Sequence, residues 1–336
     1  MSVVTLFVVV LAASLVGTGL LRRYALRRNI IDVPNDRSSH LVPTPRGGGV
    51  AIVLTFLAGL AVLVAAGLAD PRTAAALAGA GAIVALVGFL DDHGHVAARW
   101  RLLAHFAAAL WALVALGGLP PMAALGTTID LGWMGDVLGV IALVWLLNLY
   151  NFMDGIDGIA GVETLAVCVG AILVHRLRGG AEPSWIIPAL LAIATLGFLA
   201  WNLPPARIFM GDAGSGFLGI ALGILALGAA HVSPTLLWSW IILLGIFTVD
   251  ATVTLLRRLQ RGERIYEAHR SHGYQHAAAR WGSHGRVSLM VGAINVVWLW
   301  PWAALAGVGR VDGLAAATIA YLPLVALALR LRAGVR

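Results

Sequence analysis

The 336-residue chain has no lysine, one cysteine and few charged residues of either sign. Charged side chains make up 12% of the sequence, roughly half the share found in an ordinary soluble domain. Hydrophobic residues make up 60%, and the mean hydropathy is +0.89. This composition excludes a soluble globular protein and indicates a polytopic membrane protein. The lone Cys168 excludes an intramolecular disulfide, and its apolar surroundings indicate a packing residue.

Long apolar stretches predict helices that span a membrane, which requires about 20 residues each. We therefore predict an all-α, polytopic membrane protein with about eleven transmembrane helices, forming a single domain over residues 1–336. No basic segment precedes the first stretch, so we predict a retained span rather than a signal peptide. Residues 120–135 are turn-rich and predict a small hairpin between two spans. The stretches are 2–21, 49–69, 73–90, 102–119, 136–150, 160–176, 184–201, 216–232, 236–255, 287–307 and 311–330.

Because lysine is absent, all 23 basic residues are arginines, and their placement predicts the topology. With the N-terminus outside, nineteen of them fall on cytoplasmic loops or the C-terminal tail, in agreement with the positive-inside rule. The predicted C-terminus is therefore cytoplasmic. The net charge of +7 is compatible with a nucleic-acid partner, but arginines spread over short loops are typical of topology signals, and we predict no nucleic acid. Most carboxylates fall on the same side, which the rule does not require. They therefore indicate a functional site.

The stretch NLYNFMDGIDGIAG, residues 148–161, joins two of the apolar stretches. It carries Asn148, Asn151, Asp154 and Asp157 at that junction. Charged groups there are costly unless they meet water, a counter-ion or a substrate. The interleaved glycines let the backbone bend. A polar hairpin is the plain alternative, but two Asn and two Asp among glycines favour a binding site.

Two adjacent acids, Asp91 and Asp92, end the third stretch in FLDDHGH. Carboxylates about 5 Å apart repel each other by roughly 3 kcal/mol at an effective dielectric constant near 20. A divalent cation or a shared proton would relieve this repulsion. His93 and His95 raise the alternative of zinc, but no cysteine or helical histidine pair completes a tetrahedral site. Arg101, at the start of the next span, would hold an anion or anchor the helix end.

A third acid, Asp212, lies in the loop FMGDAGSG at the start of the eighth stretch. Pro204 and Pro205 end the preceding helix. The glycines around Asp212 leave backbone N–H groups unpaired at a helix N-terminus, where the helix dipole favours anions. The loop lacks the GK[ST] element of a Walker A motif. A simple capping turn is the alternative.

The first long loop, residues 22–48, also contains candidate phosphate-binding groups. Arg37, His40 and Arg46 precede a run of three glycines whose backbone N–H groups could face an anion. A basic topology loop with a glycine turn is the alternative.

The last long loop, residues 256–286, contains the histidine-rich segment HRSHGYQH. In a helical register His269, His272 and His276 share one face. Zinc ligation would need a fourth ligand that the spacing does not supply, so a face that contacts phosphates is the favoured interpretation. Asp250, in the preceding span, is a functional candidate because an acid inside a membrane is costly.

Together these stretches resemble the polyprenyl-phosphate N-acetylhexosamine-1-phosphate transferases, which form glycosyltransferase family 4. That superfamily includes the phospho-N-acetylmuramoyl-pentapeptide transferase of peptidoglycan synthesis and the enzymes that initiate O-antigen synthesis. The resemblance covers nearly the whole chain, from DVPNDRSSH at residues 32–40 to HRSHGYQ at residues 269–275. The motifs FLDD, NLYNFMDGIDG and FMGDAGSGFLG in this order are specific as a set.

The resemblance implies an enzyme that depends on Mg²⁺, with Mn²⁺ as the alternative metal. Asp91 and Asp92 look like the paired acids that engage the lipid phosphate and the metal, and Asp212 looks like a metal ligand. His269 and His272 stand where the family carries a catalytic histidine motif near the diphosphate. The implied substrate-binding residues are Arg46, Asn148, Asn151, Asp154, Asp157, Asn202 and Phe209, with Asn202 and Phe209 at the uridine.

The implied reaction transfers N-acetylhexosamine 1-phosphate from a UDP-sugar to undecaprenyl phosphate, with release of UMP. The implied place is the cytoplasmic face of the bacterial inner membrane. The peptidoglycan enzyme has consecutive histidines where this chain has HRSHGYQH. This departure favours the branch that starts O-antigen or other surface polysaccharides, using UDP-N-acetylglucosamine, UDP-N-acetylfucosamine or a related donor. The pentapeptide transferase is the alternative, and the sequence leaves the oligomeric state open, with a homodimer as one option.

Two other classes of protein are weighed against this interpretation. A secondary transporter would place its coupling acids near the middle of the membrane, whereas these acids lie at the ends of spans. A membrane phosphatase or lipid-linked hydrolase would share the metal site but would need an activated water.

Overall fold

The computed structural model describes residues 2–34, 39–40, 42–94, 96–180, 183–263 and 269–335. This part of the chain is almost entirely helical, which confirms the predicted all-α class. The helices are α1 (Val3–Arg28), α2 (Val50–Ala65), α3 (Pro71–His93), α4 (Ala98–Leu116), α5 (Gly132–Met153), α6 (Ile159–Leu177), α7 (Ile186–Asn202), α8 (Asp212–Val232), α9 (Pro234–Leu243), α10 (Gly245–Gln260), α11 (Gly273–Trp281), α12 (His284–Ile294), α13 (Trp300–Gly307) and α14 (Gly313–Arg330).

Each of the eleven predicted apolar stretches is helical over most of its length, but not every stretch forms one continuous span. In the described residues, nine helices are long and apolar enough to cross a membrane, so the protein is a multi-pass membrane protein. One of the nine spans consists of α12, a π-helical turn at Asn295–Leu299, and α13. The second stretch forms only the 16-residue α2. The ninth stretch is broken into α9 and α10, which are bent by 68°.

The break between α9 and α10 lies where Tyr321 of α14 contacts the bend. In an unbroken helix the carbonyl of Ile241 would accept a hydrogen bond from the N–H of Gly245. Here that carbonyl accepts from the hydroxyl of Tyr321 on α14 instead. A Cβ at Gly245 would lie 2.8 Å from the Tyr321 ring, so the close approach requires glycine. The bend therefore depends on a partner about 80 residues away, which the composition of the stretch does not reveal.

Two short hairpins are the only strands in the described residues. β1 (Ile31–Asp32) pairs antiparallel with β2 (Thr44–Pro45) and closes the base of the first loop. β3 (Met122–Ala124) pairs antiparallel with β4 (Thr127–Ile129), which confirms the hairpin predicted between the fourth and fifth stretches.

Helix α8 is the centre of the bundle. Its apolar segment is 89% buried, against 22% for that of α1 at the periphery. Small residues let neighbouring backbones approach it: a Cβ at Gly88 on α3 would lie 2.4 Å from the Ala213 nitrogen. A Cβ at Gly219 would lie 2.8 Å from the Leu146 carbonyl oxygen on α5. Such close contacts are the usual source of helix association within a membrane, and they fix the N-terminus of α8 against the C-terminal ends of α3 and α5.

Candidate active site at one end of the helix bundle

A polar cavity of about 400 Å³ lies where the first loop, the end of α3, the α5–α6 loop and the α7–α8 loop meet. A cavity of similar size, about 370 Å³, lies at the opposite ends of α3 and α8, but its walls are mostly apolar and its described lining contains no predicted site residue. Eight of the twelve predicted site residues line the polar cavity: Arg46, Asp92, Asn151, Asp154, Asp157, Asn202, Phe209 and Asp212.

Asp92 caps the N-terminus of α8 from the neighbouring helix α3. Its two carboxylate oxygens accept hydrogen bonds from the backbone N–H groups of Asp212, at 3.2 Å, and Ala213, at 3.4 Å. These N–H groups have no partner within their own helix, so a carboxylate there satisfies them and meets the positive end of the helix dipole. Gly211 has φ +77°, and a Cβ on it would lie 2.5 Å from the Asp92 carboxylate. The loop therefore needs glycine at this position.

Arg46 supports the same acid from the first loop. Its Nε lies 3.8 Å from the Asp92 carboxylate, and its terminal nitrogen donates to the Asp92 carbonyl oxygen at 2.9 Å. The Asp92 side chain is only 1% exposed, whereas that of Arg46 is 38% exposed. Arg46 therefore neutralises a buried charge and still presents part of its guanidinium group to the cavity.

The guanidinium group of Arg101 contacts both Asp91 and Asp212. A single guanidinium nitrogen of Arg101, on α4, donates to both carboxylates, at 3.3 Å in the case of Asp212. The other oxygen of Asp91 accepts from the N–H of Val96 at 2.8 Å. Because one nitrogen contacts both acids, their carboxylates lie within a few ångströms of each other. The structure thus brings together acids that are more than 100 residues apart in the sequence.

The oxygen donors of Asp91 and Asp212 fit a hard divalent cation. No group of three or more His, Cys, Asp or Glu side chains surrounds a common point within the described ranges. Mg²⁺ does not require one, because it commonly takes one or two carboxylates together with water and substrate phosphate oxygens. His93 is turned away from these acids, with its Nδ1 bonded to the Phe89 carbonyl oxygen at 2.8 Å. His95, the other histidine of the FLDDHGH segment, lies outside the described residues.

The α5–α6 loop adds two acids with opposite electrostatic environments. Burial, followed by the charges of Asp212, Asp92 and Asp157, raises the pKa of Asp154 well above its usual value. Burial also acts to raise the pKa of Asp157, but hydrogen bonds from His284 and from the Ala206 N–H outweigh it and hold that pKa below its usual value. Asp157 is therefore ionised at neutral pH, whereas Asp154 favours a proton or a neighbouring cation.

The amide side chains of the site tie its loops together. Asn202 is 3% exposed; its Oδ1 accepts from the Gly158 N–H and its Nδ2 donates to the Ile208 carbonyl oxygen, both at 3.0 Å. Asn151 accepts from the Ser215 hydroxyl of α8 at 3.0 Å. Asn148 differs, because its Nδ2 donates to the Val144 carbonyl oxygen of its own helix at 2.7 Å and it does not line the cavity.

The predicted histidines lie at the start of α11, where His272 is the N-cap residue. Neither His269 nor His272 is among its described lining residues. Asp250 accepts from the N–H groups of Gly273 and Tyr274, both at 2.9 Å, and so caps α11. Its carboxylate also lies 3.4 Å from Nδ1 of His272, onto which the ring of His269 stacks at 4.9 Å. The intramembrane acid is thus satisfied by holding α11 in place.

Ser39, Gln275 and His284 are among the nine described lining residues that were not predicted as site residues. Gln275 is the residue of α11 that lies among the described lining residues of the cavity, which include neither of the two histidines. His284 opens α12 in the segment GSHGR. A polar residue at the start of a span was its only sequence signal, and several loops share that feature. Arg37, a predicted cationic donor of the first loop, lies outside the described residues.

The chain is similar to known proteins over most of its length. Residues 74–230 match the model of a family described as glycosyl transferase family 4. The chain is 33% identical over 295 residues to a probable undecaprenyl-phosphate N-acetylglucosaminyl 1-phosphate transferase of Bacillus subtilis (strain 168), covering 86% of this chain and 80% of the relative. It is 29% identical over 313 residues to a decaprenyl-phosphate N-acetylglucosaminephosphotransferase of Mycobacterium tuberculosis (strain ATCC 25618 / H37Rv), covering 82% and 75%.

A further relative matches over a shorter stretch. The phospho-N-acetylmuramoyl-pentapeptide-transferase of Rhodopseudomonas palustris (strain BisB18) is 34% identical over 178 residues, which is 43% of this chain and 49% of the relative. These similarities confirm the resemblance that the motifs indicated. The chain belongs to glycosyl transferase family 4, the polyprenyl-phosphate N-acetylhexosamine-1-phosphate transferases.

Proposed function

We propose that the protein transfers N-acetylglucosamine 1-phosphate from its UDP derivative to undecaprenyl phosphate and releases UMP. The observation that carries this proposal is the convergence of Asp91, Asp92 and Asp212 beside two arginines at one end of a membrane bundle. Only there can a lipid whose tail stays in the bilayer meet a nucleotide that arrives from water. The relatives matched over most of their length are named for N-acetylglucosamine transfer, which supports this sugar over the muramoyl-pentapeptide.

The pathway and orientation form part of the same proposal. The site faces the cytoplasm, where the arginine-rich loops predict it to be. The product would start a lipid-linked surface polymer, either of the O-antigen type or of the cell wall. Acids that meet at helix ends argue against a transporter, whose coupling acids lie near the middle of the membrane.

In the proposed reaction an oxygen of the lipid phosphate attacks the β-phosphorus of the donor. The bond between that phosphorus and the oxygen bridging to the α-phosphate breaks, and UMP leaves with the bonding electrons. The bond between sugar and phosphate stays intact. A phosphate monoester has a second pKa near 6 and is already largely ionised at neutral pH, so the attacking group needs little help from a general base. Alignment and charge neutralisation are then the main demands on the protein.

Each part of the site would serve one of these demands. Arg46 and Arg101 would neutralise and align the phosphates, since a guanidinium group matches phosphate oxygens in two-point contacts. Asp91 and Asp212 would hold Mg²⁺, or Mn²⁺ in its place, which when bound would stabilise the charge that develops on the diphosphate. Asp92 would act through its cap on α8, which fixes the position of Asp212.

The remaining residues would bind the donor. Phe209 and Asn202 would form the wall against the uridine, and Asn151, Asp154 and Asp157 would face the sugar and diphosphate. His269 and His272 would act by fixing α11, since their rings stack on each other at the start of that helix.

The proposal is tested with purified protein, undecaprenyl phosphate and a panel of UDP-sugars. We expect UMP and a lipid-linked sugar in equal amounts with UDP-N-acetylglucosamine, no product with EDTA, and recovery with excess Mg²⁺. Reactions without the lipid are the control. UMP release that does not need the lipid would indicate a hydrolase, and no UMP release with any donor would contradict the proposed function.

A further inference from the structure

His284 connects two loops across the wall of the polar cavity. Its Nδ1 lies 3.1 Å from a carboxylate oxygen of Asp157 in the α5–α6 loop. Its Nε2 lies 3.1 Å from the carbonyl oxygen of Ser39 in the first loop. The His284 side chain is 18% exposed and that of Asp157 is 13% exposed, so little water competes for these contacts.

The Asp157 carboxylate and the Ser39 carbonyl are both hydrogen-bond acceptors, and the backbone N–H of Asp157 also lies 3.4 Å from Nδ1 of His284. A neutral imidazole carries one N–H and can donate to only one of these acceptors, whereas an imidazolium donates from both nitrogens. The carboxylate of Asp157 balances the resulting positive charge. His40 and Arg270 are the other charged or titratable groups acting on this pair. The hydrogen bond to Asp157 raises the pKa of His284, and the ring bridges the two loops through both of its nitrogens.

The loop that His284 holds carries two polar atoms for which the described residues supply no hydrogen-bond partner. Ser39 Oγ and His40 Nε2 are buried and have no hydrogen-bond partner among the described residues. Leaving such atoms unpaired costs free energy, so each one in a native structure needs an explanation. Both residues line the cavity, and the His40 ring packs edge-on against Phe209 with 4.8 Å between ring centroids. Polar atoms beside an aromatic ring match a flat ligand with a hydrogen-bonding edge, which is the shape of a nucleobase.

We infer that His284 is a positioning residue whose bridge between Asp157 and the first loop presents Ser39 and His40 to the base of the nucleotide sugar. The inference rests on the proposed function for the identity of that ligand. Because Asp91 and Asp212, the acids proposed to hold the metal, lie on α3 and α8, loss of the bridge affects donor binding more than the transfer step.

His284→Gln tests this directly, because the amide of glutamine cannot place two ring nitrogens against Asp157 and Ser39 at once. We expect the KM for UDP-N-acetylglucosamine to rise about tenfold or more, the usual effect of losing a charged hydrogen bond. The kcat and the KM for undecaprenyl phosphate are expected to stay near their wild-type values. His231→Gln is the matched control, since exposed His231 also contacts a backbone carbonyl, that of Gly118 at 3.1 Å, at the opposite end of the bundle.

A double variant separates positioning from a general loss of structure. His40→Gln should also raise the KM for the donor. If His284 acts through the first loop, the double variant should raise KM by less than the product of the two single effects. A fully multiplicative effect, a fall in kcat alone, or an unchanged KM in His284→Gln would overturn the inference.

Binding of UMP to the full-length protein provides a readout that does not depend on turnover. We expect UMP to raise the thermal midpoint of wild type and of His231→Gln, and to do so at roughly tenfold lower concentration than for His284→Gln. Equal UMP binding by wild type and His284→Gln would contradict the inference. Absence of transfer by a wild type that binds UMP would instead contradict the proposed function alone.

Discussion

Asp212→Asn is expected to abolish transfer, with a fall in kcat of at least about 10³-fold, while the protein still inserts and folds. The loss of one group that stabilises transition-state charge commonly costs 10²- to 10³-fold, and here the variant also loses a metal-binding charge. Asparagine keeps the size of the side chain, and Arg101 keeps its contact with Asp91. The assay is UMP release by purified protein at saturating Mg²⁺, with folding checked by thermal melting.

Asp91→Asn should behave in the same way, since Asp91 shares the Arg101 nitrogen with Asp212. Asp136→Asn is the matched control: Asp136 also accepts a backbone N–H, that of Leu119 at 2.8 Å, but at the other end of α5. Near-normal kcat in both Asp91→Asn and Asp212→Asn would remove the assignment of the site.

Gly88→Ala is expected to reduce transfer by more than about 100-fold, through packing alone. The added Cβ would lie 2.4 Å from the nitrogen and 2.6 Å from the Cα of Ala213, and both are backbone atoms that cannot rotate away. Helices α3 and α8 must then separate, which breaks the cap that Asp92 forms on α8. Overpacking of this kind typically costs about 1–3 kcal/mol of stability, so the thermal midpoint should also fall.

Gly228→Ala on the same helix α8 is the control for that variant. Its Cβ would lie 3.4 Å and 3.6 Å from side-chain atoms of Thr73, which is ordinary contact. We expect normal activity and stability from it. Full activity in Gly88→Ala would show that the position of α8 against α3 does not set the geometry of the acids.

The sequence predicted the convergence of the acids because each one ends or begins an apolar stretch on the same side of the membrane. Helices that cross a bilayer must bring those ends to one face, so Asp91, Asp92 and Asp212 could be grouped without coordinates. The hydrophobic stretches and the placement of the arginines therefore predicted most of the fold and the location of the site at one end of the bundle.

What the sequence could not show is which partner each side chain takes. Asn148 precedes Asn151 by one helical turn, yet its amide folds back onto its own helix. The Nδ1 of His272 lies 3.4 Å from a carboxylate oxygen of Asp250, which is on another helix. His284 reaches Asp157, 127 residues earlier in the chain. These pairings depend on how the helices pack, and the local sequence pattern does not predict them.

The central claim is that the sugar leaves the nucleotide together with its phosphate. It is tested most directly with UDP-N-acetylglucosamine that carries radioactive phosphorus in the β-phosphate, incubated with purified protein, Mg²⁺ and undecaprenyl phosphate. We expect the label to enter the lipid fraction together with the sugar and the released nucleotide to be unlabelled UMP. Label recovered in UDP, or in a water-soluble sugar phosphate, would contradict it.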